Sequence, residues 1–205
     1  MIKNVVFDIG NVLIAFSWRE VMLEVGIKPE DTETIADATV RSKYWSELDR
    51  GLMTDEQIVD GFISGAPQFE KEIRKFFAHV TESMPPFDYS KGWLHSVKER
   101  GYNVYILSNF SDHNFNACKP SYTFLEEADG AIISYQHKTI KPERKIYEIL
   151  LDTYSLDPKE CVFIDDRDDN IAAAVALGFS GIVFESYDDA SKKLNELLKK
   201  EGAHG

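Results

Sequence analysis

The stretch Val5-Val6-Phe7-Asp8-Ile9-Gly10-Asn11-Val12-Leu13 decides the fold prediction, because an apolar run ends there in a single carboxylate. Four more short runs of mainly β-branched, aromatic or other apolar residues follow, at 104–107, 131–133, 162–164 and 182–184. Each run is almost continuously apolar, as strands are when helices cover both faces of a parallel sheet. We therefore predict five parallel strands, the first of them ending just before Asp8.

Helical patterns alternate with the later strands. They cover residues 89–100, 142–154 and 170–177, and Pro142 is predicted at the first helical position of the second. Strands that alternate with helices are typical of an α/β fold, in which a doubly wound parallel sheet forms a Rossmann-like core.

The segment 15–84 interrupts this alternation, because it contains no strand candidate. Thr54-Asp55-Glu56-Gln57 matches a capping box, so a helix is predicted to begin there. The helical patterns of this segment cover 18–25, 32–43, 55–63 and 69–80. We predict a helical cap of residues 15–84 inserted after the first strand, and an α/β catalytic core of residues 1–14 and 85–205.

The charge balance limits the partners. The chain of 205 residues has 23 Lys and Arg against 35 Asp and Glu, a formal net charge of −12. This field repels nucleic acid, and it also repels a phosphorylated metabolite unless local cations or a metal ion compensate. Two cysteines make no disulfide framework, and an apolar run interrupted by Asp8 is neither a secretory signal nor a membrane span. We expect a cytoplasmic protein with no membrane partner.

Polar side chains follow four of the predicted strands. Asp8 follows the first, Ser108-Asn109 the second, Lys141 the third after a short connection, and the acidic run 165–170 the fourth. Because the carboxyl ends of parallel strands meet at one edge of the sheet, we expect these groups to lie together.

Each of these groups also has an ordinary structural interpretation. A lone Asp after a strand is usually a turn or helix-capping residue, and Ser108-Asn109 is about equally explained as a cap. One or two acidic residues favour a helix N-terminus, but the four carboxylates between Asp165 and Asp169 repel one another, which a divalent cation would relieve. Lys141 before a predicted helix opposes the dipole, which makes sense if an anion lies opposite.

These motifs, in this order, resemble those of the haloacid dehalogenase superfamily. The resemblance rests on residues 7–13, Leu107-Ser108-Asn109, Lys141-Pro142 and Phe163-Ile164-Asp165-Asp166, and it covers essentially the whole chain. The Gly-Asn-Val-Leu variant after Asp8 and Asp49-Arg50-Gly51 in the cap are similar to a branch of small bacterial phosphatases that includes α-D-glucose-1-phosphate phosphatase.

The resemblance implies a magnesium-dependent phosphomonoester hydrolase. Asp8 would attack phosphorus and also bind Mg²⁺, together with the backbone carbonyl of Gly10. Asp166 would be the main carboxylate ligand from the fourth motif, with Asp165 a direct or water-mediated helper.

The resemblance also implies how substrate is bound. Ser108 and Asn109 would contact the phosphoryl oxygens, and Lys141 would neutralise charge on them and on Asp8. The expected partner is a small phosphorylated metabolite, a sugar phosphate by analogy with the branch, and the protein is expected to be a monomer or a weak homodimer.

The sequence departs from the family at Gly10, where many of its phosphatases have a second Asp that acts as general acid and base. Either this role moves elsewhere, with Asn11 used for positioning or with a cap residue, or a leaving group of low pKa makes it less necessary. The cap residues that are candidates to face the substrate are Trp18, Arg19, Trp45, Asp49 and Arg50.

Three other functions compete with this interpretation. A haloacid dehalogenase would use the same aspartate without a metal, but it gains nothing from the pair Asp165-Asp166. A signalling receiver module places its acidic pair after the first strand and has no helical insertion. A non-catalytic sugar-phosphate-binding or protein-binding domain stays open because of Gly10.

Overall fold

The computed structural model describes residues 1–202, and the side chains of residues 1–199. Its sheet has five parallel strands in the order β3-β2-β1-β4-β5. The strands are β1 (Asn4–Phe7), β2 (Asn103–Ser108), β3 (Gly130–Ile133), β4 (Cys161–Asp165) and β5 (Ser180–Val183). All five predicted strands and the predicted α/β fold are thereby confirmed; residues 203–205 of the predicted core lie outside the described part.

Helices cover both faces of the sheet. Val5 and Phe7 of β1 belong to the larger apolar cluster on one face, and Val6 belongs to a second cluster on the other. This two-sided burial explains why the strands are continuously apolar. The helices of the core are α6 (Ser90–Glu99), α7 (Asp112–Cys118), α8 (Ser134–His137), α9 (Arg144–Tyr154), α10 (Asp168–Ala176) and α11 (Tyr187–Gly202).

The segment between β1 and β2 is helical, as predicted. Its helices are α1 (Trp18–Glu24), α2 (Pro29–Ala38), α3 (Lys43–Arg50), α4 (Asp55–Gly65) and α5 (Glu70–His79). Backbone bonds join its two ends, since Ala15 N donates to Pro85 O (2.9 Å) and Phe87 N donates to Leu13 O (3.0 Å). The segment therefore leaves and re-enters the core at one place. We call it the helical insertion.

The capping box predicted at Thr54 is present. Gln57 N donates to Thr54 Oγ1 (3.3 Å), and Thr54 N donates to Gln57 Oε1 (2.9 Å). Helix α3 lies outside the predicted helical patterns, because it has only eight residues and only Leu48 among them is buried.

Two predicted helix starts were wrong. The helix predicted over 32–43 is α2, which begins at Pro29 and ends at Ala38; Thr39 then leaves the helical conformation and its Oγ1 donates to Ile35 O (2.7 Å). Pro142 is not the first residue of α9, because Glu143 has an extended conformation and the helix begins at Arg144. Lys141 therefore lies in a loop that precedes the helix.

Both cysteines, Cys118 and Cys161, are free and buried, in agreement with the absence of a disulfide framework. Within residues 1–202, none of the helices combines the length and the apolar character that crossing a bilayer requires.

Candidate active site

The site lies at the carboxyl edge of the sheet, where the strand register aligns its groups. Phe7 of β1 pairs with Ile106 of β2 on one side and with Ile164 of β4 on the other. The next residues along these strands therefore lie side by side, and they include Asp8 and Asp165. The predicted convergence of these groups at one edge follows from this register.

Lys141 lies between the two carboxylates. Its Nζ is 2.8 Å from Asp8 Oδ1 and 2.6 Å from Asp165 Oδ2, and only 1% of its side chain is exposed. Burial alone lowers the pKa of Lys141, but the neighbouring Asp165 and Asp8 outweigh it and the net shift of the pKa is upward. Lys141 therefore remains a cation, and the buried trio carries an excess negative charge when both carboxyls are ionised.

Asp166 completes a cluster that has the donor set of a metal site. One carboxylate oxygen from each of Asp8, Asp165 and Asp166 lies within 4.8 Å of the others. Asn11 Nδ2 donates to Asp166 Oδ2 (2.9 Å), and Asn11 has a left-handed φ of 54°, which asparagine tolerates well. Several carboxylate oxygens of one site are what Mg²⁺ prefers, so the residues present fit this ion.

The electrostatics of Asp8 agree with a cation site. Burial raises the pKa of Asp8 to about 7; Lys141 opposes this shift, and the charges of Asp165 and Asp166 add to it. Burial also raises the pKa of Asp166. The cluster is therefore short of positive charge, and a divalent ion would stabilise the ionised carboxylates.

The carboxylate of Asp165 is held on all sides. Oδ1 accepts from Arg167 N (2.9 Å) and Asn170 Nδ2 (3.0 Å), and Oδ2 accepts from Lys141 and again from Asn170 Nδ2 (3.1 Å). Asp169 does not contact this cluster but pairs with the Arg167 side chain at 2.7 Å. The acidic run thus separates into Asp165 and Asp166 at the site and Asp169 outside it.

The two polar residues after Leu107 have different surroundings. Ser108 Oγ is buried and has no hydrogen-bond partner among the described residues, so it is available to a bound ligand. Asn109, predicted to contact phosphoryl oxygens, uses its amide on the backbone of Lys141: Nδ2 donates to Lys141 O (3.0 Å) and Oδ1 accepts from Lys141 N (2.8 Å). Sequence reasoning missed this contact, which spans 32 residues and has no local signal.

Gly10 lies in the turn after Asp8. Ile9 N donates to Asp8 Oδ1 (2.7 Å), and Leu13 N donates to Ile9 O (2.8 Å), which closes the turn. A Cβ added at Gly10 would meet no atom within 4 Å. The space where the family's second Asp would lie is therefore open.

The helical insertion brings Asp49 to the site. Asp49 is half-buried, its backbone carbonyl accepts from Ser134 Oγ (2.6 Å), and its carboxyl interacts electrostatically with Asp8 and Lys141. Burial, and then the negative charge of Asp8, raise the pKa of Asp49 to about 8.

The other insertion residues predicted to face substrate divide into two groups. Trp18 and Arg19 line a cavity of about 360 Å³ that also includes Asn11. Trp45 instead packs on the main apolar cluster, where its ring stacks on Phe62 with centroids 6.3 Å apart.

Arg50 bonds two glutamates and none of the three clustered aspartates among the described contacts. It makes two bonds to Glu143 (2.7 and 3.0 Å) and one to Glu47 (3.3 Å). These bonds join the end of α3 to the loop that carries Lys141.

Comparisons with known proteins agree with this arrangement. A haloacid dehalogenase-like hydrolase family model matches residues 2–178, which include β1 to β4 and the carboxylate cluster. The D-ribitol-5-phosphate phosphatase of Bacteroides thetaiotaomicron is 27% identical over 212 residues, which cover 97% of this chain and 99% of that protein. The sesquiterpene phosphatase astK of Aspergillus oryzae is 26% identical over 180 residues, 88% of each chain.

A solved structure extends the likeness to the fold. It is a HAD family enzyme from Bacteroides thetaiotaomicron in complex with magnesium and inorganic phosphate. The two chains share 27% identity and a TM-score of 0.69, over 91% of this chain and 98% of that one.

Proposed function

The chain belongs to the haloacid dehalogenase-like hydrolases, and from this premise we propose that it hydrolyses phosphomonoesters with Mg²⁺ through a phosphoaspartate on Asp8. The observation that carries the proposal is the cluster of Asp8, Asp165 and Asp166, whose oxygens lie within 4.8 Å of one another. A dehalogenase that works without a metal gains nothing from this cluster.

The residues fit a magnesium ion, with Asp8, Asp166 and the carbonyl of Gly10 as ligands and Asp165 as a direct or water-mediated helper. When bound, the ion supplies the positive charge that lets a carboxylate approach a phosphate dianion. Asp165 already holds Lys141 and Asn170, so its main task is to fix the position of Lys141.

Asp8 is the nucleophile of the proposed reaction. Its Oδ1 accepts bonds from Ile9 N and Lys141, which leaves Oδ2 for attack on phosphorus. The bond from phosphorus to the leaving oxygen breaks, and an acyl phosphate forms on Asp8. Water then attacks phosphorus, releases phosphate and restores the carboxylate, so that one difficult hydrolysis becomes two easier steps.

Lys141 and Ser108 stabilise the charge on the transferring group. Phosphoryl transfer depends mainly on in-line positioning and on stabilising the equatorial oxygens. The buried Ser108 hydroxyl has no protein partner within the described residues, so it can donate to such an oxygen. Asn109 acts through Lys141, whose backbone it holds on both sides.

The substrate class we propose is a small sugar phosphate. The cavity beside Asn11 is lined by Trp18 and Arg19, and its volume of about 360 Å³ suits a small polar metabolite. An aromatic ring and a guanidinium suit a sugar and its hydroxyls. A cytoplasmic location, no nucleic acid or membrane partner, and a monomer or weak homodimer complete the proposal, and we regard residues 15–84 as the cap that selects the substrate.

A single set of assays tests this function. Purified protein is given p-nitrophenyl phosphate and a panel of sugar phosphates with Mg²⁺, and phosphate release is measured. We expect activity that EDTA abolishes and that Asp8→Asn lowers by at least about 10³-fold, as loss of a nucleophile does. Asp152→Asn, an exposed carboxylate on α9, is the matched control and should keep the wild-type rate.

The competing functions give different results in the same assays. Chloride release from a 2-chloro acid that survives EDTA would identify a dehalogenase. Binding of sugar phosphate without turnover would identify a non-catalytic domain. Equal phosphatase rates for wild type and Asp8→Asn would reject the proposed mechanism.

A further inference from the structure

The proposed reaction needs a proton donor that the sheet edge does not supply. An alkoxide is a poor leaving group, so its oxygen must receive a proton as the bond to phosphorus breaks. The position two residues after the nucleophile is Gly10, and the space beside it is empty, since an added Cβ meets nothing within 4 Å. The proton must come from another element of the chain.

The titratable groups at the sheet edge have other tasks. Lys141 is fixed as a cation between Asp8 and Asp165 at 2.8 and 2.6 Å. Asp166 belongs to the carboxylate cluster and accepts from Asn11. None of these groups is free to lose and regain a proton during the reaction.

Two further side chains near the site are engaged elsewhere. Tyr147 donates its hydroxyl proton to Asn170 O (2.8 Å). His113 pairs with Asp55 at 3.1 Å and stacks on Phe77, with ring centroids 5.7 Å apart. Asp49 of the helical insertion has no such task among the described contacts, and the charge of Asp8 acts on its carboxyl.

Asp49 is fixed over the site by bonds to the core. Its backbone carbonyl accepts from Ser134 Oγ (2.6 Å), and Ser134 Oγ in turn accepts from Phe110 N (2.9 Å), just after the end of β2. The main chain of Asp49 is thus tied, through Ser134, to the loop that follows Ser108.

The residues after Asp49 are tied to the loop that carries Lys141. Arg50 makes the two-bond contact to Glu143, and Lys138 Nζ donates to Gly51 O (2.6 Å). Gly51 has a φ of 71°, and a Cβ there would lie 3.1 Å from the Tyr135 side chain, so both the backbone conformation and the close approach favour glycine. These contacts hold the end of α3, which carries Asp49, against the loops at the carboxyl edge of the sheet.

We propose that Asp49 is the general acid and base of the reaction, replacing the side chain that Gly10 lacks. This inference rests on the proposed phosphatase function. In the first step the leaving oxygen takes the electron pair of its bond to phosphorus and the proton of the Asp49 carboxyl. In the second step Asp49 removes a proton from the attacking water while the bond from phosphorus to Asp8 breaks, which restores both carboxyl groups.

The electrostatics of Asp49 agree with this assignment. Burial, and then the charge of Asp8, raise the pKa of Asp49 to about 8, a shift that favours the protonated carboxyl which a general acid needs. Lys141 and the Ser111 backbone oppose the shift without reversing it.

The test separates proton donation from a structural role by varying the leaving group. Rapid-quench measurements give the rate of the first phosphoryl transfer from an alkyl phosphate and from p-nitrophenyl phosphate, whose leaving group needs no proton. We expect Asp49→Asn to slow the alkyl reaction about 10²- to 10⁴-fold and the aryl reaction less than about 10-fold. Phosphoaspartate should also accumulate with the aryl substrate, because the second step loses its base.

Glu56→Gln is the control, since this exposed carboxylate belongs to the same insertion and should leave both rates unchanged. Equal losses on the two substrates, without accumulation of phosphoaspartate, would overturn the proposal and make Asp49 a structural residue. Unchanged rates on both would overturn it as well. A wild-type protein that transfers no phosphoryl group at all would instead reject the phosphatase function, so the two failures are distinguishable.

Discussion

On the sheet side of the site Lys141 lies buried between Asp8 and Asp165, whereas on the insertion side the pair of Arg50 and Glu143 is partly open to solvent. The first group is held by short bonds in a nearly buried place, so removing the lysine cation leaves two carboxylates buried and unpaired. The second group is worth less to stability, because solvent screens its charges. The difference indicates that the charged side chains at the sheet edge are held in fixed positions. The contact between the helical insertion and the core is weaker and can rearrange more easily.

The largest effect is expected where the buried charges meet. Lys141→Met leaves Asp8 and Asp165 without their shared cation, and breaking a buried pair in this way costs about 3–5 kcal/mol of unfolding free energy. Urea denaturation measures this loss, and phosphatase activity should fall by at least about 10³-fold, because the charge on the transferring oxygens is no longer balanced.

Lys138→Met is the matched control for that substitution. Lys138 belongs to the same loop, but it is exposed and bonds only the Gly51 carbonyl among the contacts described. Its loss should cost less than about 1 kcal/mol. Similar losses of unfolding free energy for the two lysine variants would contradict the proposed difference between the two sides of the site.

A smaller effect is expected at the metal-binding end of the cluster. Asp166→Asn should raise the Mg²⁺ concentration needed for half-maximal activity by about 10- to 100-fold, because a carboxylate ligand is replaced by a neutral amide. Asp168→Asn, in the same acidic run but exposed at the start of α10, should leave it unchanged. A titration of activity with Mg²⁺ shows whether Asp166 is a metal ligand. Identical curves for Asp166→Asn and wild type would contradict this assignment.

The metal-free protein should be more stable when Asp8 is neutral. Burial raises the pKa of Asp8 from its ordinary 3.8 to about 7, so the folded state loses stability as the pH rises between these values. Asp8→Asn should therefore raise Tm above pH 7 by about 2–4 °C, the equivalent of about 1 kcal/mol, and by less at pH 5. Thermal unfolding of both proteins in EDTA at both pH values measures this difference in Tm. A Tm of Asp8→Asn below that of wild type above pH 7 would contradict the prediction.

The smallest effect is expected at the contact between α3 and the core. A double-mutant cycle of Arg50→Ala and Glu143→Gln should give a coupling of about 0.5–1 kcal/mol at neutral pH, because the pair is partly exposed. The hydrogen bonds of Arg50 lower the pKa of Glu143 to about 2, so this stabilisation is complete above the ordinary value of 4.5 and is lost as the pH falls toward 2. A coupling that stays constant from pH 7 to pH 3 would show that charge does not hold the contact.

The sheet side could largely be predicted from the sequence. Asp8, Ser108 and Asp165 come at or just after the ends of apolar runs, and the topology of a parallel sheet brings such positions together whatever the details of packing. The bonds between Asn109 and the Lys141 backbone could not be predicted, because they join loops far apart in sequence. The prediction that Pro142 begins α9 was wrong for a related reason. The loop around Lys141 continues to Glu143, although proline favours the first position of a helix.

The insertion side could be predicted only in outline. Asp49 and Trp45 were both candidates to face the substrate, and they lie on the same short helix α3. Trp45 packs on the apolar cluster, whereas Asp49 is bonded to Ser134 and feels the charge of Asp8, and this division depends on how α3 docks on the core. A helix of eight residues is too short for its sequence pattern to predict how it docks on the core.

The central claim is that Asp8 carries the phosphoryl group between the two steps. Protein that is turning over a phosphomonoester with Mg²⁺ is quenched in acid and digested, and its peptides are mapped by mass spectrometry. The account predicts an acid-stable, hydroxylamine-labile phosphoryl group on the peptide that contains Asp8, present with Mg²⁺ and absent with EDTA. Steady release of phosphate with that peptide unmodified, or with the label on another residue, would contradict it.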